Sequence, residues 1–437
     1  MDRRDFLLGA GAIAAATTLP DSSDAAGLFF EEKAAPQVGL SILQGHTTET
    51  TTQLSVDVPL TTTCAYSLKD VSTGKIFEPI AFSSVTFEGS DTKVDKLKFA
   101  GLELGHKYSF VAVNKKDNKV LDERFLMTVD LNKIDAKFAL MSCMNAGKSA
   151  RTKMWASAEA ANLDYLFFIG DNVYGDDLFS HGSKLLWSKY VSGRQAIPYY
   201  HWKNLKPVIG VWDDHDFGKN DALGDYKNKE KNREIFNAFF AQEADDKTLF
   251  RGPGISSFFQ AFNQNFAFCD NRYYRGLSYA DGSKSFLGVE QINFLTKLVD
   301  KNQKPTFMLE GSPWFGRTQK KYTSYQMTAP KEQEELFKVI QSWGVPVMFG
   351  GGDVHFSEIS ALDRKYLGFN SYELISSSMH SSLKTQFYDN PNPQLNGYLK
   401  ENFLAIQHVG GASDLTWSAS CIAIDSTKIF ETALKIV

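Results

Sequence analysis

Two patterns of hydrophobic and polar positions divide the chain. Between residues 36 and 131 the period is two: Gln53-Leu54-Ser55-Val56-Asp57-Val58 and Lys107-Tyr108-Ser109-Phe110 alternate apolar with polar residues, as strands with one buried face do. Turn residues recur at Ser72-Thr73-Gly74, Glu88-Gly89-Ser90 and Lys115-Lys116-Asp117-Asn118, a spacing that predicts a β-sandwich. From residue 132 to 437 continuous apolar runs take over. Phe138-Ala139-Leu140-Met141, Tyr165-Leu166-Phe167-Phe168-Ile169, Pro207 to Trp212, Pro305 to Leu309 and Val345 to Phe349 read as fully buried strands. Between them helical periodicity predicts one helix with Met154, Trp155 and Ala158 on a shared face. Another starts near Glu230, with Ile235, Phe236, Phe239 and Phe240 as its buried stripe. Strands alternating with amphipathic helices predict an α/β layer architecture. The polar segment 386–396, with Pro391 and Pro393, reads as an exposed loop.

Residues 1–26 stand outside this pattern. Arg3-Arg4-Asp5-Phe6-Leu7-Leu8 is a twin-arginine motif, and the apolar run from Leu7 to Leu19 is too short to span a bilayer. Small residues at Ser23, Ala25, Ala26 and Gly27 offer a cleavage region. The competing reading is a charged start before a buried helix. The motif predicts export to the periplasm or beyond by the twin-arginine translocation machinery, with no stable membrane span. That route carries proteins already folded, which suits a chain loaded with a metal.

Composition narrows the partners. The 437 residues are 43 % apolar, enough for two domains, and 47 basic against 51 acidic residues leave a net charge of −4. No basic excess exists to hold a polyanion, so a nucleic-acid partner is not expected. Cys64, Cys143, Cys269 and Cys421 are too scattered for a disulfide framework and form no CxxC pair.

The chemistry follows the apolar runs. Successive strands end in Ser142-Cys143-Met144-Asn145, in Gly170-Asp171-Asn172-Val173-Tyr174, in Asp213-Asp214-His215-Asp216 with Asn220 beyond, and in Gly351-Gly352-Asp353-Val354-His355. Carboxyl ends of buried parallel strands converge, and sites form there. Singly, an Asp after Gly is a turn residue and a buried Cys a small hydrophobe. Together they offer the donors for two cations about 3.5–4 Å apart, the arrangement that hydrolyses phosphate esters. Asp171, directly after a glycine, is placed to bridge the two. Cys143 as thiolate, Tyr174 as phenolate and His355 as imidazole suit a ferric ion. Oxygens from Asp171, Asp214, Asp353 and Asn220 suit a harder cation such as calcium or magnesium.

These motifs resemble the PhoD-type alkaline phosphatases/phosphodiesterases of the calcineurin-like metallophosphoesterase superfamily. Asp270-Asn271-Arg272-Tyr273-Tyr274-Arg275 and the segment from Leu287 to Leu295 are similar to internal segments of that family, and the likeness spans about residues 36–425. The resemblance implies a four-layer αββα core over 132–437. It implies Fe3+ and Ca2+ as cofactors, and hydrolysis of phosphate mono- or diesters by metal-activated hydroxide. It assigns Cys143, Asp171, Tyr174 and His355 to the iron and Asp171, Asp214 and Asp353 to the calcium. His215 then faces the substrate as hydrogen-bond donor or general acid. Arg272 and Arg275 are candidates either for phosphate binding or for a structural ion pair. Phe217-Gly218-Lys219 before Asn220 departs from the family pattern. Of Asp213 and Asp214, the one next to the histidine is the favoured ligand. The segment from Leu102 to Phe110 resembles the corner of a fibronectin type III module, which makes residues 36–131 a fibronectin type III-like sandwich.

Other conspicuous residues have ordinary readings. Asp176 and Asp177 read as solvated loop acids, His380 and His408 as structural histidines near strand ends, and His181 and His201 as surface residues. Trp314 and Phe315 form either an apolar wall for the alcohol half of the ester or core. Two other functions compete with the phosphohydrolase: an exported, non-catalytic protein that binds a surface polymer, and a secreted nuclease.

Overall fold

The computed structural model describes residues 39–436 apart from 178, 280, 317–323 and 410–414. The leader, residues 1–26, lies outside the described residues. The amino-terminal part forms two four-stranded antiparallel sheets. One has the spatial order Ser41–Thr47, Thr51–Pro59, Thr92–Ala100, Ala81–Thr86; the other runs Ile76–Phe77, Cys64–Asp70, Lys107–Asn114, Val120–Met127. Leu54, Val56, Leu97 and Phe99 of the first sheet and Tyr66, Leu68, Tyr108 and Phe110 of the second share one core, as period-two alternation requires. Tyr108 Oη accepts a hydrogen bond from the Glu103 backbone N–H at 2.7 Å and closes the turn before its strand.

Two larger sheets follow. The six-stranded sheet has the order Val208–Val211, Tyr165–Ile169, Lys137–Met141, Asn402–His408, Thr416–Ala423, Lys428–Lys435. Its first three strands are parallel and the rest antiparallel. The eight-stranded sheet runs Leu249–Arg251, Ser257–Ala261, Gln264–Phe268, Thr306–Leu309, Val347–Gly351, Ser371–Ile375, Ser357–Leu362, Gln394–Tyr398, and its four middle strands from Gln264–Phe268 to Ser371–Ile375 are parallel. Gln394–Tyr398 is therefore an edge strand where the polar segment 386–396 predicted only a loop.

Aromatic side chains join the sheets face to face. Phe138 meets Phe266 and Phe307 with ring centroids 5.0 and 5.4 Å apart, and Phe167 lies 4.7 Å from Phe266. Alternate residues of the eight-stranded sheet point the other way: Met308 and Phe349 pack with Leu295 of the helix Val289–Lys301 and with Leu336 and Ile340 of Pro330–Trp343. The helix Arg151–Ala160 buries Met154, Trp155 and Ala158, and Lys229–Phe239 buries Ile235, Phe236 and Phe239, the faces that the sequence pattern marked. Trp314 and Phe315 are core, packed on Phe349.

A buried arginine ties the amino-terminal sheets to the rest. Arg194, on the helix Ser183–Ala196, donates from Nε to Ser41 Oγ (2.9 Å) and from Nη1 to Ser55 Oγ (3.1 Å) and the Phe239 carbonyl (3.2 Å). Its Nη2 donates to the carbonyls of Ser41 (3.1 Å) and Ser55 (2.9 Å). The guanidinium fork matches this divergent set of oxygens, which a lysine would not.

Candidate metal centre

Every parallel strand of both large sheets runs toward the same edge, and there the apolar runs give way to polar residues. Cys143 lies two residues past Lys137–Met141, Asp171 two past Tyr165–Ile169, and Asp213 and Asp214 two and three past Val208–Val211. From the facing sheet, Asp353 and His355 follow Val347–Gly351, and Ser377 follows Ser371–Ile375. Four residues in three of these turns are strained in the same way. Cys143, Asp171, Asp353 and His355 have φ of 57°, 50°, 69° and 60°, the left-handed region that costs an ordinary residue about 1–3 kcal/mol and gathers at functional sites. Close backbone approach sets the spacing. A Cβ on Gly170 (φ 88°) would lie 2.8 Å from both Asp213 Cβ and Gly311 Cα, so glycine alone fits before Asp171.

The donors gather into three overlapping groups whose ligand atoms lie within 4.8 Å of one another: Cys143, Asp171 and His355; Asp171, Asp214 and His215; Asp213, Asp214 and Asp353. Tyr174 joins the first, its hydroxyl 3.2 Å from His355 Nε2 and 2.6 Å from Ser381 Oγ. Asp171 belongs to two groups and Asp214 to two, so the cluster is continuous. Asp171 Oδ1 is buried without a hydrogen-bond partner, a costly state for a carboxylate oxygen unless something other than protein meets it.

Electrostatics point the same way. Burial pushes the Asp171 and Asp353 carboxyls, the Cys143 thiol and the Tyr174 phenol well above their ordinary values, with neighbouring acids adding to the shift. Left to themselves these groups would hold their protons. A cation reverses that balance, which is how metal sites deprotonate thiols. Burial, with Lys384 and His215 adding, lowers His355 to about 3, so its imidazole is neutral as a ligand must be. At Asp214 the burial penalty is overcome by Arg272 and His215, and the carboxylate stays ionised. Sulfur, phenol, imidazole and shared carboxylates in one cluster fit a pair of cations.

The structure separates the two adjacent aspartates. Asp213 Oδ1 accepts from Arg272 Nε, from Asn271 Nδ2 (2.8 Å) and from Ser312 Oγ (3.1 Å). Its backbone N–H is held by Asp216. Arg272 is 2 % exposed and lies within 3.7 Å of Asp214 as well. Arg275 is buried over the Phe286 ring and donates to Ser312 Oγ at 2.9 Å. Arg272 thus sits in an ion network behind the carboxylates, whereas Arg275 keeps Nε and Nη2 buried without a hydrogen-bond partner. Asn220 is exposed, and its Nδ2 donates to Asp221 Oδ2 at 2.9 Å.

Asp176 is the residue that the sequence pattern did not mark. It is no solvated loop acid: its side chain is 5 % exposed, and Oδ1 lies 2.5 Å from His215 Nδ1 while Oδ2 accepts from the Asn220 backbone N–H. The Tyr174 ring packs on His215 at 4.2 Å. Burial opposes charge on this imidazole, but Asp171, Asp214 and the bond to Asp176 outweigh it and raise its pKa well above the ordinary value. Asp177 does behave as a loop acid, accepting from the backbone N–H groups of Phe179 and Ser180. His380 is structural as expected, joining Trp155 Nε1 to the Asn145 carbonyl.

Comparison with known proteins agrees with this architecture. The family model for twin-arginine translocation pathway signal sequences matches residues 1–20, and the chain is therefore addressed to twin-arginine export. No helix among the described residues is long and apolar enough to cross a membrane. No curated protein matches the chain. Among solved structures, one described as the structure of PhoD superimposes with a TM-score of 0.67 at 15 % identity, covering 90 % of this chain and 88 % of that one. The protein TT1561 of Thermus thermophilus (TM-score 0.30, 10 % identity, 69 % of this chain and 99 % of that one) and a cyclomaltodextrinase (0.19, 8 %, 72 % and 59 %) are too slight in likeness to carry an argument. The chain has the mixed α/β fold of PhoD, a twin-arginine signal, and a continuous cluster of side chains that could ligate a metal at the carboxyl edge of its sheets.

Proposed function

We propose that the protein is an exported two-metal phosphohydrolase that cleaves phosphate mono- or diesters. One observation carries the reading: Asp171 is grouped with Cys143 and His355 on one side and with Asp214 on the other, and Asp214 is grouped in turn with Asp353, so one carboxylate would be shared between two sets of donors. Cys143, Asp171, Tyr174 and His355 would hold Fe3+, and Asp171, Asp214 and Asp353 would hold Ca2+. The exposed Asn220, turned to Asp221, is the weakest member of that second set. Bound cations supply charge compensation for the phosphoryl oxygens and lower the pKa of water. The protein's own side chains do the rest. Asp176 fixes Nδ1 of His215, which leaves Nε2 to donate to a phosphoryl oxygen or to the departing alkoxide. Arg272 holds Asp213, and so keeps the neighbouring Asp214 carboxylate oriented. Residues 132–437 would be the αββα catalytic domain, and residues 36–131 a fibronectin type III-like sandwich that buttresses it.

Elemental analysis of the exported protein, combined with assays on an aryl phosphomonoester and an aryl phosphodiester, tests this reading. Two metal ions per chain, a visible tyrosinate-to-iron absorption and turnover of at least one ester are expected. Asp171→Ala should abolish both turnover and metal retention. Fully metallated protein that cleaves neither ester would sink the proposal and favour a binding role.

A further inference from the structure

The serine-rich turn Ser376-Ser377-Ser378, after the strand Ser371–Ile375, reaches the sulfur of the candidate centre. Ser377 is fully buried, with Oγ 3.1 Å from Cys143 Sγ, and the same oxygen accepts the His355 backbone N–H at 3.0 Å. A hydroxyl has one proton. Because the His355 contact uses a lone pair of Oγ, the proton is left for the sulfur. Ser142 Oγ also approaches Sγ, at 3.5 Å, but it lies 2.8 Å from the Ser376 carbonyl, which can only accept, so its proton goes there. The turn itself is pinned: the Ser377 N–H donates to Ser357 Oγ (3.2 Å), and Ser357 Oγ donates to Asn402 Oδ1 (2.6 Å).

The geometry points to Ser377 as a positioning residue whose hydroxyl donates a hydrogen bond to Cys143 Sγ and couples that sulfur to the backbone of His355. The two donors follow strands of different sheets, Lys137–Met141 and Val347–Gly351, so one hydroxyl bridges the layers at the centre. This inference rests on the metal-binding reading of Cys143, Asp171 and His355. A serine that merely fills space would leave the electronic state of the sulfur untouched; a donor to the sulfur stabilises its filled orbitals and tightens the site.

Co2+ added to the metal-free full chain is the probe, because a thiolate bound to cobalt gives a near-ultraviolet charge-transfer band. Ser377→Ala is expected to move that band to lower energy and to weaken Co2+ binding at the sulfur site about tenfold, and Ser377→Thr, which keeps the hydroxyl, to restore both. If Ser377→Ala does not fold, the unaltered protein decides: exchange into D2O should shift the cobalt–sulfur stretch seen by resonance Raman spectroscopy. A band and affinity in Ser377→Ala that superimpose on those of the unaltered protein, or a stretch indifferent to D2O, would overturn the inference alone. Absence of any sulfur-to-cobalt band in the unaltered protein would overturn it together with the role of Cys143 as ligand.

Discussion

At the residue scale, His215 and Asp176 form a pair whose value is orientation. Asp176→Asn keeps the size of the side chain but removes the carboxylate that holds His215 Nδ1 at 2.5 Å. We expect ester turnover to fall about tenfold to a hundredfold, with metal content unchanged; kinetics beside elemental analysis checks both halves. The clustering of Cys143, Asp171, Asp214, Asp353 and His355 was legible in the sequence because each follows an apolar strand within a few positions, as Asp171 follows Tyr165–Ile169. It could not reveal Asp176 as a partner of His215, because 39 positions separate them and no local pattern marks a pair that only tertiary folding creates. The same limit explains Arg272: its partner Asp213 comes from the other sheet, 59 positions away. Whether a guanidinium faces a ligand or a neighbouring carboxylate is decided by packing, which leaves no periodic signal.

Elements set the reach of those residues. The turn between Tyr165–Ile169 and Asp171 holds a glycine with no room for a methyl group. Gly170→Ala should cost about 2 kcal/mol of stability, from the left-handed backbone and the contacts with Asp213 and Gly311. Metal retention should fall with it; denaturant unfolding and metal analysis on one preparation read the two effects. Arg194→Met tests the clamp on the amino-terminal sheets. It removes the guanidinium from the carbonyls of Ser41, Ser55 and Phe239, of which Phe239 keeps the Ser55 hydroxyl as donor, at about 1–3 kcal/mol for an oxygen left with neither a partner nor water. A lowered unfolding midpoint and earlier proteolytic cleavage between residues 39 and 131 are the expected outcome. Buried strands were legible where apolar runs were continuous, as at Tyr165–Ile169, and the helix Lys229–Phe239 began one residue from the expected Glu230. The strand Gln394–Tyr398 was not. It has no apolar run, and it exists because the neighbouring strand Ser357–Leu362 offers an edge to pair with, a tertiary cause that overrides local propensity.

Acid should unfold the whole molecule through its buried histidines. Burial lowers His46 and His380 to about 4 from an ordinary 6.5. Between those values the unfolded chain binds more protons than the folded one, so stability rises with pH across that window and is lost as pH falls from 6.5 to 4. Each group contributes up to about 3 kcal/mol at neutral pH. Asp245, beside His46, is held down to about 2 by backbone and hydroxyl donors that overcome its burial, and it adds a further loss below its ordinary value of 3.8. Thermal unfolding followed from pH 7 to pH 4.5 should show a steep fall, and His46→Gln should make it shallower. A flat profile would mean that neither histidine charges on unfolding.

The left-handed turns at Cys143, Asp171, Asp353 and His355 also bear on when the centre can come into being. No nascent fragment has a reason to hold such conformations, and the four donors span residues 143 to 355 across two sheets. A polypeptide still emerging from the ribosome therefore lacks a cage for any ion until most of its length has been synthesised and both layers have closed. For a cargo bearing a twin-arginine address, a finished cage and a transport-ready shape are one and the same event.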